Sequence, residues 1–206
     1  MEHSGGFAFC YRCCMSRSAD LLRRLRDDPA LVELLSYPFE FDIRRADYVD
    51  APRLMSGISL EVVAGDFTGG KFYLCGEGPD RPMLYASSEG EAGLIASDFS
   101  GALGLVVGLP YWRDCLKYSE DGDVASMQAA ASFLQRDMLA NDPEVVPAQS
   151  RVAGALGLTI EPVPTLVDRL HEAVRSADPG DVFLDETGEY ESLFGPFPPS
   201  RNPDWQ

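Results

Sequence analysis

The segment that most invites chemistry is Gly65-Asp-Phe-Thr-Gly-Gly70-Lys71-Phe72, which follows an apolar run and fits Gly-x4-Gly-Lys, the core of a phosphate-binding P-loop. Such a site also needs a Ser or Thr hydroxyl for magnesium after the lysine, and a helix N-terminus facing the phosphate. Phe72 stands where the hydroxyl belongs, and Lys71 to Cys75 reads as a strand, so a hairpin turn accounts for the glycines without a nucleotide. Cys10-x-x-Cys13-Cys14 offers half of a zinc site, but tetrahedral zinc takes about four ligands. Neither the remaining cysteines, Cys75 and Cys115, nor the two histidines, His3 and His171, supply a companion pair, so the sequence assigns no metal.

The remaining candidates are weaker. Glu120-Asp121-Gly122-Asp123 and Asp185-Glu186-Thr187-Gly188-Glu189 lack the alternating oxygen ligands and terminal glutamate of an EF-hand, and read as exposed turns. Ser87-Ser88-Glu89-Gly90 lacks the Gly-x-Ser-x-Gly elbow of a serine nucleophile. His171 falls beside the apolar face of a predicted helix and reads as a surface or interface residue, while Cys75 and Cys115 lie among apolar neighbours and read as core. No catalytic residue and no cofactor follows from these patterns. Leu109 to Lys117 differs in kind. Its Tyr111, Trp112, Arg113 and Asp114 have the composition of a binding hot spot, although large aromatics equally well close a core where a helix leaves a sheet. The second role is favoured for Tyr111 and Trp112.

Composition narrows the classes of partner. The chain has 206 residues, 33 acids against 17 bases, and a formal charge of −16. Residues 119–206 hold 16 acids and 5 bases, a net −11, and residues 1–118 hold 17 and 12, a net −5. Nucleic-acid binding needs a basic surface that displaces counterions from phosphate, and anionic membranes need the same. Neither partner is expected here, and no apolar run reaches the roughly 18 residues of a membrane span. Five cysteines without a disulfide-framework spacing fit a reducing cytoplasm.

The elements that must position these residues follow from periodicity. Residues 1–17 form an expected flexible lead. Leu21, Leu22, Leu25, Leu31, Leu34 and Leu35 predict a short helix or a broken pair ending before Pro38, capped by Ser18 or Asp20, with Pro29 opening a second turn. Four short apolar segments, 58–64, 71–75, 83–86 and 93–96, separated by Gly-, Asp- and Ser-rich turns, predict a meander. Phe99, Leu103, Val106 and Val107 then share a helical face, capped by Ser97 or Asp98 and ended by Pro110; Gly101 and Gly104 within it suggest close packing on the sheet. Beyond Gly122, three helices are expected: one through Val124, Met127, Ala131, Leu134 and Met138, one ended near Gly157, and one opening at Pro164. A short strand over 181–184 and an extended tail, 195–206, complete the reading. The expected class is α+β: a central mixed or antiparallel sheet with flanking helices (18–118) and a helical C-terminal section packed on it (119–194).

Val63-Ala-Gly-Asp66-Phe-Thr-Gly-Gly-Lys-Phe-Tyr73, Met83-Leu-Tyr85, and Gly93-Leu-Ile-Ala-Ser-Asp-Phe99 together resemble the centre of the SMI1/KNR4, or SUKH, superfamily. There a strand enters a Gly-Asp-x-x-Gly turn, further strands follow beside an acidic turn, and an Ile-Ala-x-x-Phe element opens a helix. The resemblance covers about sixty residues. It implies an α+β fold without catalytic residues, and a role in binding other proteins, in many bacterial members as immunity proteins that neutralise a toxin.

The expected function is therefore a cytoplasmic, non-enzymatic, acidic protein-binding module with a protein partner, such as an immunity protein that neutralises a basic toxin by direct binding. Asp66, Glu89, Glu91, Tyr111, Trp112, Arg113 and Asp114 are the candidate partner-binding residues. The alternative is a small-molecule-binding or hydrolytic enzyme with a carboxylate-lined pocket near Asp66, Glu89 and Asp114.

Overall fold

Asp28 shows how local chemistry starts the fold. Its carboxylate accepts the N–H groups of Ala30 and Leu31 at 3.0 and 3.1 Å, and Pro29 takes the first position of helix α2 (Pro29–Ser36), where an N–H would have no helical partner. Helix α1 (Arg17–Asp27) precedes it. The expected caps Ser18 and Asp20 lie inside α1 instead: Ser18 is buried, and Asp20 pairs with Arg23 and Arg24 at the spacings that favour a helix interior. The computed structural model describes residues 17–47, 51–176 and 181–195. The Cys10–Cys14 cluster, the lead before Arg17 and the tail after Gly195 lie outside them.

The sheet follows the expected meander. Strands β2 (Leu60–Gly65), β3 (Lys71–Cys75), β4 (Met83–Ala86) and β5 (Glu91–Ala96) pair antiparallel in chain order. Strand β8 (Glu191–Ser192) joins β5 in parallel, which makes the five-stranded sheet mixed. A second, small antiparallel sheet combines β1 (Arg53–Leu54), β6 (Phe183–Asp185) and β7 (Gly188–Glu189). Strand β2 starts two residues later than Ile58, which follows the turn at Gly57 (φ 75°) and is 44% exposed. A strand expected over 181–184 lies instead at β6, because its partner β1 reaches only Leu184 and Phe183.

Both faces of the large sheet are covered, so its strands read as continuous apolar runs and β4 is buried at all four positions. Phe72, Leu74, Met83, Tyr85 and Ile95 face the helices. Tyr73, Cys75, Leu84 and Ala86 face the small sheet, where Phe183 packs tilted against Tyr73 with ring centroids 5.3 Å apart. The helical layer holds α3 (Phe99–Gly108), α4 (Trp112–Lys117), α5 (Val124–Asn141), α6 (Val145–Leu156) and α7 (Val163–Arg175). Asp98 caps α3 through the Gly101 N–H at 2.9 Å, and Asp123 caps α5 through the Ser126 N–H at 2.7 Å. Helix α6 ends at Gly157, whose φ of 63° favours glycine. Leu166, Val167, Leu170 and Val174 of α7 join the same core as Phe72 and Phe99.

Gly101 and Gly104 do not mark close packing. A Cβ on Gly104 would meet nothing within 4 Å, and one on Gly101 would make an ordinary contact with Ala96 at 3.6 Å. The tight approach is at Gly108, where a Cβ would sit 2.5 Å from the Leu166 Cδ1 and 2.9 Å from the Ile160 Cγ2.

Phe72 stands among Phe41 (4.9 Å between ring centroids), Tyr85 (5.0 Å) and Trp112 (6.3 Å). Phe72→Ala is expected to lower unfolding free energy by about 3–5 kcal/mol in urea titrations. Phe67→Ala, at a position 49% exposed, is expected to stay within about 0.5 kcal/mol of the parent.

Candidate functional site

The turn from β2 to β3 is built around one carboxylate. Asp66 is 2% exposed. Its Oδ1 accepts the Thr68 N–H (2.8 Å), the Thr68 hydroxyl (2.8 Å) and the Gly70 N–H (2.9 Å), while its own N–H donates to the Gly70 carbonyl at 3.0 Å. Its Oδ2 accepts the Tyr85 hydroxyl and the Arg113 Nη1, both at 2.6 Å. Five donors on two oxygens leave the carboxylate saturated, which is the condition for burying a charge at tolerable cost. Gly70 is required by this crowding: a Cβ there would sit 2.2 Å from the Tyr85 Oη and 2.7 Å from the Asp66 Oδ2.

Each partner comes from a different element. Tyr85 lies on β4, Arg113 on α4, and Glu40, on the segment after α2, takes the other guanidinium nitrogen of Arg113 in an ion pair. Trp112 is 2% exposed and closes the cluster, edge-on to Tyr85 at 5.0 Å. Burial, together with the negative charge of the Asp66 carboxylate that accepts its hydrogen bond, pushes the Tyr85 hydroxyl well above the ordinary phenol value. Burial also pulls the Arg113 guanidinium below its usual value, with Asp114 opposing. The phenol therefore stays protonated at neutral pH and acts as a donor.

The candidates separate by position. Asp66 and Arg113 are joined directly, and Trp112 packs beside them. Glu91 is close enough to raise the Tyr85 phenol and accepts the Ser87 hydroxyl. Glu89 and Asp114 are exposed. Although Asp114 is open to solvent as a residue, the protein crowding its carboxyl raises its pKa, with Arg113 and Lys117 opposing. Tyr111 is half-buried, and among the described residues its buried hydroxyl has no hydrogen-bond partner. Asp66, Glu89 and Asp114 line neither the large groove beside β5 nor the smaller one between the two sheets. His171 donates its Nε2–H to the Gly122 carbonyl oxygen at 2.9 Å and packs on Phe194. Burial raises the Cys75 and Cys115 thiols to about 12, so neither is a thiolate at neutral pH.

Sequence reasoning missed Glu40, Phe67, Thr68 and Tyr85. Glu40 carried a signal, an acid held between two aromatics, Phe39 and Phe41, that prove fully buried. Phe67 carried another, a large apolar residue within a turn otherwise made of Gly, Asp and Thr. It is exposed beside the saturated carboxylate, with the Arg45 guanidinium 4.9 Å over its ring.

Asp42 supports the same turn from outside the sheet. Its N–H and carbonyl exchange 3.0 Å hydrogen bonds with Gly65. Its carboxylate takes the Arg44 Nε at 2.8 Å, the Arg44 N–H at 2.9 Å and the Ser36 hydroxyl at 3.3 Å. Burial would raise this carboxyl, but the donors from Arg44 and Ser36 outweigh it and hold the pKa below the ordinary value.

Among the described residues, no three His, Cys, Asp or Glu side chains gather as a metal site would require, and no helix is long and apolar enough to cross a membrane. No protein-family model, no curated protein and no solved structure matches the chain.

Two expectations follow. Asp66→Asn replaces the charge facing Arg113 and turns one acceptor into a donor among donors; it should cost about 3–5 kcal/mol in chemical denaturation. Because the Asp42 pKa is depressed in the folded state, its contribution is complete above the unfolded carboxylate value of about 3.9 and disappears as pH falls through the folded one. The stability–pH curves of the parent and Asp42→Asn should therefore lie apart at neutral pH and converge in acid; parallel curves down to the acid limit would contradict this assignment.

Proposed function

We propose that the chain is a non-enzymatic protein-binding module of the immunity-protein kind, which neutralises a basic toxin by direct binding. The observation that carries this reading is the rigid presentation of Phe67. A turn fixed by five hydrogen bonds to one buried carboxylate holds an aromatic ring 49% exposed. A pre-ordered aromatic loses little conformational entropy when a partner covers it, which is the property of a binding anchor. Asp66, Arg113 and Trp112 hold the surface in place, and exposed Glu89 and Asp114 with half-buried Glu91 and Tyr111 contribute its rim.

Charge supports the choice of partner. At a formal −16 the chain attracts a cationic protein over distances of about a Debye length, ~10 Å at 0.1 M salt, and complementary charge raises the association rate. The resemblance of the Gly65–Gly70 turn and the Ile95-Ala96-Ser97-Asp98-Phe99 element to the SUKH superfamily agrees with a binding role. Cytoplasmic action belongs to the same reading, since the buried Cys75 and Cys115 are free thiols, as a reducing compartment allows.

The test is capture from the native host, followed by a toxicity assay on the captured protein. The expected partner is basic, its toxicity is relieved by stoichiometric addition of the chain, and its binding weakens as salt rises from about 50 mM to about 500 mM. Phe67→Ala should weaken binding about tenfold or more. A partner that is acidic, insensitive to salt, or indifferent to Phe67→Ala would refute the proposal.

A further inference from the structure

A groove lies at the other end of the sheet from the Asp66 turn. The meander puts the turns at 66–70 and 87–90 at one end; the groove is lined by Asp80 and Pro82 of the opposite turn and by the last residues of β5. Its volume is about 960 Å³. Leu105 of α3 and Leu166 and Leu170 of α7 contribute apolar lining. Four carboxylates, Asp80, Asp98, Glu161 and Glu172, line it against two guanidiniums, Arg17 and Arg169. Arg169 already pairs with Glu161 at 3.3 Å, and Arg17 donates to the Gly157 carbonyl at 2.8 Å.

The strand edge gives the groove a direction. Strand β8 pairs with β5 only at Glu91 and Ala92. Among the described residues no strand continues along that edge from Gly93 to Ala96, and Leu94, Ile95 and Ala96 line the groove. These three residues of strand span about 10 Å, enough for a short peptide to add its backbone. A purely apolar ligand would leave backbone N–H and C=O groups on this edge unmatched, whereas an added strand satisfies them. Gly104 also lines the groove, and the open space at its Cβ position is the space such a segment needs.

We propose that this groove binds an extended basic segment of a partner protein, which adds as a strand along Leu94–Ala96. Its apolar side chains lie on Leu105, Leu166 and Leu170, and its cationic side chains face the Asp80 and Glu172 carboxylates. The inference rests on the protein-binding reading but names a second surface, separate from Phe67.

The probe is a capped hexapeptide of alternating lysine and valine, titrated into the isotope-labelled full chain and followed by backbone amide NMR, with a glutamate–valine hexapeptide as comparison. The expected result is that the lysine peptide shifts amides of 93–98 and 166–173 while the glutamate peptide does not. Gly104→Phe, which fills the groove, should weaken binding about tenfold or more. Gly104→Ala, which adds one methyl group to open space, should bind as the parent does. Because Gly104→Phe could disturb the helix, Asp80→Lys/Glu172→Lys provides a separate test with exposed substitutions and should weaken binding by a similar factor. Equal binding of both peptides, shifts elsewhere on the molecule, or the same amides shifting with protein concentration alone would overturn the proposal, the last by showing that a second copy fills the groove. Absence of peptide binding alongside intact, Phe67-dependent toxin capture would remove the groove proposal alone; peptide binding by a chain that neutralises no basic toxin would support the groove while removing the proposed function.

Discussion

A single buried carboxylate holds the architecture together. Taking Asp66 out of water would cost several kcal/mol if it were left uncompensated. The fold compensates it with donors from the turn itself, from β4 and from α4. Arg113 then extends the network to Glu40. Four pieces of chain, distant in sequence, converge because one charge requires them to. The geometry also explains why this carboxylate is a poor candidate for acid–base work: a base needs a free lone pair directed at a substrate, and these lone pairs are occupied by donors.

The second constraint is that the central sheet has two apolar faces. Helices cover one and the small sheet covers the other, leaving three layers around two clusters of buried side chains. The helical C-terminal section is part of this scheme, since α7 packs against β5 and its leucines share the core with α3. Two grooves lie where the layers do not fully meet: one beside β5, where β8 stops after two residues, and one between the two sheets around Tyr73, Phe183 and Tyr190.

What could be read from the sequence was what local chemistry dictates. Pro29 opening a helix, Asp98 capping α3, Gly157 ending α6 and the four meander strands each depend on a few neighbouring residues. Elements too short to show a period were not legible: α4 has six residues, and β1, β7 and β8 have two each. The site was half legible. Asp66 and Arg113 both carried signals, but their contact spans 47 positions, and no local pattern encodes a pairing at that distance. Gly104 misled because a glycine that admits a neighbour and one that lines an opening look alike in sequence.

The small sheet has a consequence for how the chain is made. Its first strand, Arg53–Leu54, must wait for Phe183–Asp185, and these residues cover Tyr73, Leu84 and Ala86. On the ribosome, the meander is therefore complete while one of its faces is still bare, and it stays bare throughout synthesis of the five helices that follow. A message truncated before codon 183 yields a product with a permanently uncovered greasy face, a ready target for chaperones and proteases.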